Sequence, residues 1–182
     1  MDFESKITSR EISQLLWERE KTLGTAESCT GGRIAEAIIA VPGASKYFKG
    51  GVVSYADEIK ENMLGVSPEL IAEKTAVCEE VAIEMVKGAC KALNTNYAIA
   101  ATGIAGPGGG THEIPVGTIW LACGNADNIV TCQLTEDFGR DINLSVATHR
   151  ALEMFLGYLN GEEKVKEDDG EHQGEVNWGQ NN

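Results

Sequence analysis

The residue pattern predicts an α/β sandwich built on one mixed, mostly parallel sheet of about five strands. Three observations predict it. Apolar strand-like runs alternate with helical periodicities over the first hundred residues. Two β-rich runs, "VGTIWLACG" and "NIVTCQLT", then lie either side of a turn at "GNADN". A single amphipathic segment closes the pattern. Strands separated by helices pair in parallel with helices on the sheet faces, whereas two strands joined by a short turn pair antiparallel.

Each element has its own signal. In "ITSREISQLL", Thr8 and Glu11 have capping-box spacing, with Ile7 and Ile12 placed as a hydrophobic staple. Ile12, Leu15 and Leu16 then share one face of an opening helix. A short strand is expected near 22–27, followed by a helix in "GGRIAEAIIAVPG" that Pro42 and Gly43 end. "KGGVVSYA" reads as a strand, and "DEIKENMLGV" as a short helix from an Asp57 cap to Gly65. "SPELIAEKT" restarts a helix with Ser67 as cap and Pro68 at its first position. Residues 78–92 are helical by the spacing of Val81, Met85, Val86 and Ala89. "NYAIAATGIAGPGGG" is a buried apolar strand breaking into a glycine-rich loop, and the hairpin follows. The closing helix, "RDINLSVATHRALEMFLGYL", turns Leu144, Ala147, Leu152, Phe155 and Leu156 inward. No internal repeat is present.

A chain of 182 residues suits one domain, assigned to residues 1–160. Residues 161–182 form an acidic tail with seven acids against two lysines and no helical or strand period, expected to be mostly disordered. Trp178 is the one tail residue suited to docking. No apolar run approaches membrane-spanning length, and "MDFESKITSREISQ" lacks the apolar core of a signal peptide. Five scattered cysteines without a CxxC pair point away from disulfides and zinc and towards the cytoplasm. The net charge of −13 argues against nonspecific binding to nucleic acid or anionic membrane. His112, His149 and His172 are too dispersed for a metal site.

Ligands of open α/β sheets gather beyond the carboxyl ends of strands. Three segments leave a strand end with reactive groups: 27–32, 54–60 and 102–110. In "ESCTGG", Ser28 is either a nucleophile at a strand-to-helix turn, with the helix N-terminus facing an oxyanion, or it shares with Thr30 the task of capping. Gly31 and Gly32 would then permit tight helix–sheet packing. Cys29 is a rival nucleophile. In "SYADEIK", Tyr55 and Lys60 are five residues apart; a lysine near a tyrosine and a serine acts as a base when desolvation lowers its pKa, and is otherwise a solvated surface group. The five glycines of "GIAGPGGG" expose backbone N–H groups to an anion or mark a plain connector. Neither a P-loop nor a dinucleotide fingerprint fits their spacing. Arg140, just before the last helix, either reaches a phosphate bidentately or is an ordinary surface arginine.

Together "TAESCTGG", "VPGASKYFKGGVVSYADEIK", "LGV", "AVCEEVA" and "TGIAGPGGGTHEIPVGT" resemble the CinA C-terminal domain family over residues 7–158, in order and with consistent spacing. The resemblance implies a three-layer α/β/α domain that hydrolyses nicotinamide mononucleotide to nicotinate mononucleotide and ammonia, without metal or cofactor. By motif position Ser28 resembles the nucleophile, Lys60 the general base and Tyr55 a proton-transfer assistant, in an arrangement likened to serine β-lactamases. Ser45 and Cys29 remain alternative nucleophiles. Substrate-binding expectations fall on Gly31, Gly32, Ser45, Glu79, Thr102, Gly103, Gly106, Gly108 and Arg140. A homo-oligomer, dimer or larger, is implied. Asp57 stands where many relatives have Asn and Ala44 where they have Ser, and neither is expected to touch the nucleophile or base. The rival expectation is a nucleotide-binding module without turnover, regulatory or competence-associated.

Overall fold

The computed structural model describes residues 3–168, with side chains through residue 161. Its elements are α1 (Phe3–Glu18), β1 (Leu23–Glu27), α2 (Arg33–Ile39), a 3-10 turn (Ala44–Lys46), β2 (Phe48–Val53), α3 (Asp57–Leu64), α4 (Pro68–Lys74), α5 (Glu79–Leu93), β3 (Tyr97–Gly103), β4 (Ile119–Gly124), β5 (Ile129–Leu134) and α6 (Arg140–Asp168). The sheet order is β2-β1-β3-β4-β5. β1 pairs in parallel with β2 and β3, and β4 runs antiparallel to β3 and β5. Four strands therefore share one direction, as a mixed, mostly parallel sheet requires.

Side-chain size sorts the two faces. Leu23, Ile99, Ala101, Ile119, Leu121 and Cys123 join a core with α1, α2 and α6. Ala26, Ala98, Ala100 and Ala122 face the other way, into a core with α3 and α5. Alternate strand residues point to opposite faces, so β3 places its alanines at 98 and 100 under α5 and lets that helix approach closely. Burial on both faces is why "YAIAATG" reads as an unbroken apolar run. On the first face the rings of Tyr97, Phe155 and Tyr158 pack with centroids 5.8 to 6.3 Å apart.

Several sequence expectations need correction. α1 begins at Phe3, so Thr8 lies inside the helix, where its hydroxyl donates to the Glu4 carbonyl (3.1 Å) instead of capping. Ile7, the supposed staple, is exposed. The N-cap of α3 is Ala56 without a side-chain cap, and Asp57 is the first helical residue. Ser67 does cap α4, accepting from the Leu70 amide at 3.1 Å. α6 continues to Asp168, eight residues beyond the assigned domain boundary and into the segment read as aperiodic. Residues 169–182, with Trp178, lie outside the described residues. Among the described residues no helix is long and apolar enough to cross a membrane, and no group of three or more His, Cys, Asp or Glu side chains is arranged to hold a metal. The five cysteines are free thiols.

Candidate active site

The parallel strands β2, β1 and β3 end on one sheet edge, where Glu27 pairs in register with Val53 and Ala101. Two backbone hydrogen bonds continue the ladder past the strands: Ser28 N–H donates to the Ala101 carbonyl and Ser54 N–H to the Glu27 carbonyl, each at 2.8 Å. The three segments singled out from the sequence thus leave the sheet side by side, with the Ser28 turn in the middle. α2 then passes to one face and α3 to the other. In open α/β sheets, connections that diverge in this way mark the strand ends beyond which ligands gather.

The Ser28 turn is organised by a residue that the sequence reading passed over. Glu27 is 1% exposed. Its carboxylate accepts from the amides of Gly32 (3.0 Å), Ile34 (3.0 Å) and Ala35 (2.9 Å) at the start of α2. The capping expectation for Thr30 and Ser28 is therefore replaced: Gly32 is the N-cap position, no short-range side chain caps it, and Thr30 Oγ1 is buried without a partner. Nor does the α2 N-terminus face a substrate, because Glu27 already occupies its donors. Gly31 and Gly32 have φ of 59° and 102°, and a Cβ on Gly31 would meet nothing within 4 Å. They serve left-handed backbone, not close packing. The local signal was the acid next to Ser28, but α2's first amides meet it only after the chain reverses.

Lys60 is 1% exposed on α3. Its ammonium donates to the Tyr55 carbonyl at 3.5 Å and to Asp57 Oδ1 at 3.2 Å. Asp57, expected to stand clear of the base, is thus its ion-pair partner. Lys60's hydrogen bonds run to these two groups and not to Ser28. On the Cys29 thiol the Lys60 charge is the smallest of several influences, and burial is the largest. Burial pushes that thiol up to about 12, so at neutral pH Cys29 is a packed, un-ionised side chain and a poor nucleophile.

Arg140 opens α6 and crosses to the glycine loop. Its Nη1 donates to the Gly106 carbonyl at 2.7 Å and its Nη2 reaches the Tyr55 hydroxyl at 3.5 Å. Tyr55 is 61% exposed, so its phenol sits at the rim. Asn143 supports the same loop from one turn along α6, donating to the Ala105 carbonyl at 3.0 Å and to Asp137 Oδ1 at 2.8 Å. The loop glycines have distinct tasks. A Cβ on Gly103 would meet the Ile119 backbone at 2.6 Å, and Gly106 and Gly109 have φ of 88° and 89°. Gly108 faces open space. Among the described residues the Gly108 and Gly109 amides donate to no backbone carbonyl.

Three expected positions are used or placed elsewhere. Thr102 is buried, and its hydroxyl donates to the Ala76 carbonyl at 2.8 Å, holding the segment before α5. Glu79 accepts from Thr131 Oγ1 at 2.6 Å on β5, the strand farthest from β2. Ser45 lies in the 3-10 turn before β2, at the amino end of the parallel strands. A strand of five or six residues, roughly 17–20 Å, separates that edge from Ser28. The fold brings Ser28, Lys60, Tyr55, Arg140 and the 103–109 loop to one edge, and does not bring Ser45 there.

The family model described as "CinA C-terminal domain" matches residues 5–159. The chain is 46% identical over 125 residues to the nicotinamide-nucleotide amidohydrolase PncC of Escherichia coli K12, covering 69% of this chain and 76% of that protein. It is 39% identical over 150 residues to a CinA-like protein of Amoebophilus asiaticus, covering 82% of this chain but 36% of that one; the chain thus spans about a third of that relative. Its fold matches the solved competence/damage inducible protein CihA of Agrobacterium tumefaciens with a TM-score of 0.84 at 36% identity, over 88% of this chain and 98% of that one.

Proposed function

The chain belongs to the CinA C-terminal domain family, and on that premise we propose that it is an amidohydrolase converting nicotinamide mononucleotide and water to nicotinate mononucleotide and ammonia. The observation that carries the reading is the convergence on one sheet edge of a strand-end serine, a fully buried lysine and an arginine laid across a glycine loop. The likeness to a nicotinamide-nucleotide amidohydrolase supports the substrate.

In the proposed mechanism, Arg140 and the loop amides hold the phosphate through charge-assisted hydrogen bonds. That remote binding orients the carboxamide over Ser28. Lys60, made neutral by passing its ammonium proton to Asp57, takes the Ser28 proton as Oγ attacks the carboxamide carbon. The tetrahedral adduct then expels the amide nitrogen, which leaves as ammonia after accepting that proton. Water, activated by the same base, cleaves the resulting ester and restores Ser28. Lys60 must swing from Asp57 towards Ser28, a motion its flexible stem permits. Tyr55, joined to Arg140 at the rim, assists the proton transfers. The net charge does not oppose an anionic substrate, because salt screens the distant acids. The proposal includes a cytoplasmic homo-oligomer.

One observation favours the alternative of a nucleotide-binding module without turnover: Lys60 is bonded to Asp57 and the Tyr55 carbonyl. Incubating the purified protein with nicotinamide mononucleotide and assaying ammonia and nicotinate mononucleotide separates the two. Release by wild type, and its loss in Ser28→Ala with nucleotide binding retained, is the expected result. Binding without release by wild type would leave only the module, and full activity in Ser28→Ala would remove Ser28 as nucleophile.

A further inference from the structure

We infer that Glu27 is the positioning residue of the nucleophile, fixing Ser28's aim from behind the turn; this rests on Ser28 being the proposed nucleophile. The Glu27–Ser28 peptide is held from both sides. The Glu27 carbonyl accepts from Ser54 on the β2 side, and the Ser28 amide donates to Ala101 on the β3 side. The Glu27 carboxylate adds the third tie, through three amides of residues 32–35. The left-handed Gly31 and Gly32 fold the chain back so that those amides reach it. Residues 28–31 are therefore a loop clamped at both ends by one side chain, and Ser28 is its first residue.

The buried carboxylate is suited to this in a way that its amide is not. Three N–H groups point at two oxygens, and ionised carboxylates are acceptors only. A glutamine would turn an NH2 donor towards at least one of those amides, or surrender its bond. The turn would then relax while β1 and the distant phosphate anchors stayed in place. Arg140 and the glycine loop have no bond to Glu27, so substrate binding should persist while the attack geometry is lost.

The test compares wild type, Glu27→Gln and Glu27→Asp as full chains, folded by circular dichroism at the assay temperature. The first readout is kcat and KM for nicotinamide mononucleotide. The second is the rate at which a fluorophosphonate labels Ser28: Oγ forms the O–P bond, fluoride leaves phosphorus, and the hydroxyl proton passes to base. Glu27→Gln is expected to lose roughly 100-fold in kcat and in labelling rate with KM within about threefold, as for a nucleophile displaced by about 1 Å. Glu27→Asp, which keeps the charge on a shorter arm, should fall between. A folded Glu27→Gln with wild-type kcat and labelling overturns the inference. If Glu27→Gln does not fold, wild-type values in Glu27→Asp overturn it equally; failure of both to fold shows a purely structural residue and also overturns it. Should wild type release no ammonia, the amidohydrolase reading fails, and the labelling rates still judge Glu27.

Discussion

Gly88 sits on α5 where α3 crosses it, and replacing it with alanine should damage both stability and turnover. A Cβ there would meet the Leu64 carbonyl carbon at 2.7 Å and its Cα at 2.8 Å, with the carbonyl oxygen closer still. Favourable carbon contacts begin near about 3.5 Å, so the two helices must part by roughly 1 Å. Both contacting surfaces are backbone, and neither can yield by rotating a side chain. Overpacking of this kind costs up to ~3 kcal/mol. Alanine recovers ~1 kcal/mol of helix propensity, leaving a net loss of about 2 kcal/mol and a Tm lower by about 4–8 °C for a domain of this size. Leu64 is one helical turn beyond Lys60 on α3, so the parting also moves the proposed base. A displacement of about 1 Å at a reacting group costs up to roughly 100-fold in rate. The control is Gly157→Ala on α6, where a Cβ meets nothing within 4 Å; it should raise stability by about 1 kcal/mol and leave kcat unchanged. Thermal unfolding followed by circular dichroism and an ammonia-release assay measure both effects. Gly88→Ala with a Tm at or above wild type and full kcat would refute the claim that this contact sets the α3 position.

Arg140→Ala should raise KM for nicotinamide mononucleotide more than it lowers kcat, by a factor of roughly 10–100 expected of a lost charge-assisted contact; an unchanged KM would remove it from the phosphate site. Cys29→Ala should keep most of its turnover, and iodoacetamide should spare Cys29 in the native protein, because burial holds its thiol up at about 12; rapid labelling with loss of activity would restore the thiol as nucleophile. Asp137 accepts from Asn143 Nδ2 and the Gly139 amide, and these bonds hold its carboxyl below the usual carboxylate range. A depressed folded value means that its contribution is complete above the unfolded pKa and is lost as pH falls through the folded one. Asp137→Asn should therefore flatten the acid side of a Tm-against-pH curve, and an identical slope in the variant would show that those bonds contribute nothing.

Periodicity and breakers determined the element order, because alternating apolar strands, amphipathic helices and Gly or Pro punctuation are local signals. "YAIAATG", "VGTIWLACG" and "NIVTCQLT" reveal three strands without any knowledge of their neighbours, and Ser67–Pro68 marks a helix start that the structure keeps. The same local chemistry misled at Thr8, where a capping pattern lies inside a helix that begins earlier, and at Asp57, which is drawn to Lys60 and not to the helix amides. The strand ends pointed to segments 27–32, 54–60 and 102–110, but only the parallel order β2-β1-β3 decided that all three share an edge and that Ser45 lies at the other. Tertiary structure also removed the capping role that "ESCTGG" offered to Ser28 and Thr30. Whether a carboxylate caps a helix or faces solvent depends on where the chain doubles back. Here two left-handed glycines return the α2 amides to Glu27, and Ser28 is left at the sheet edge.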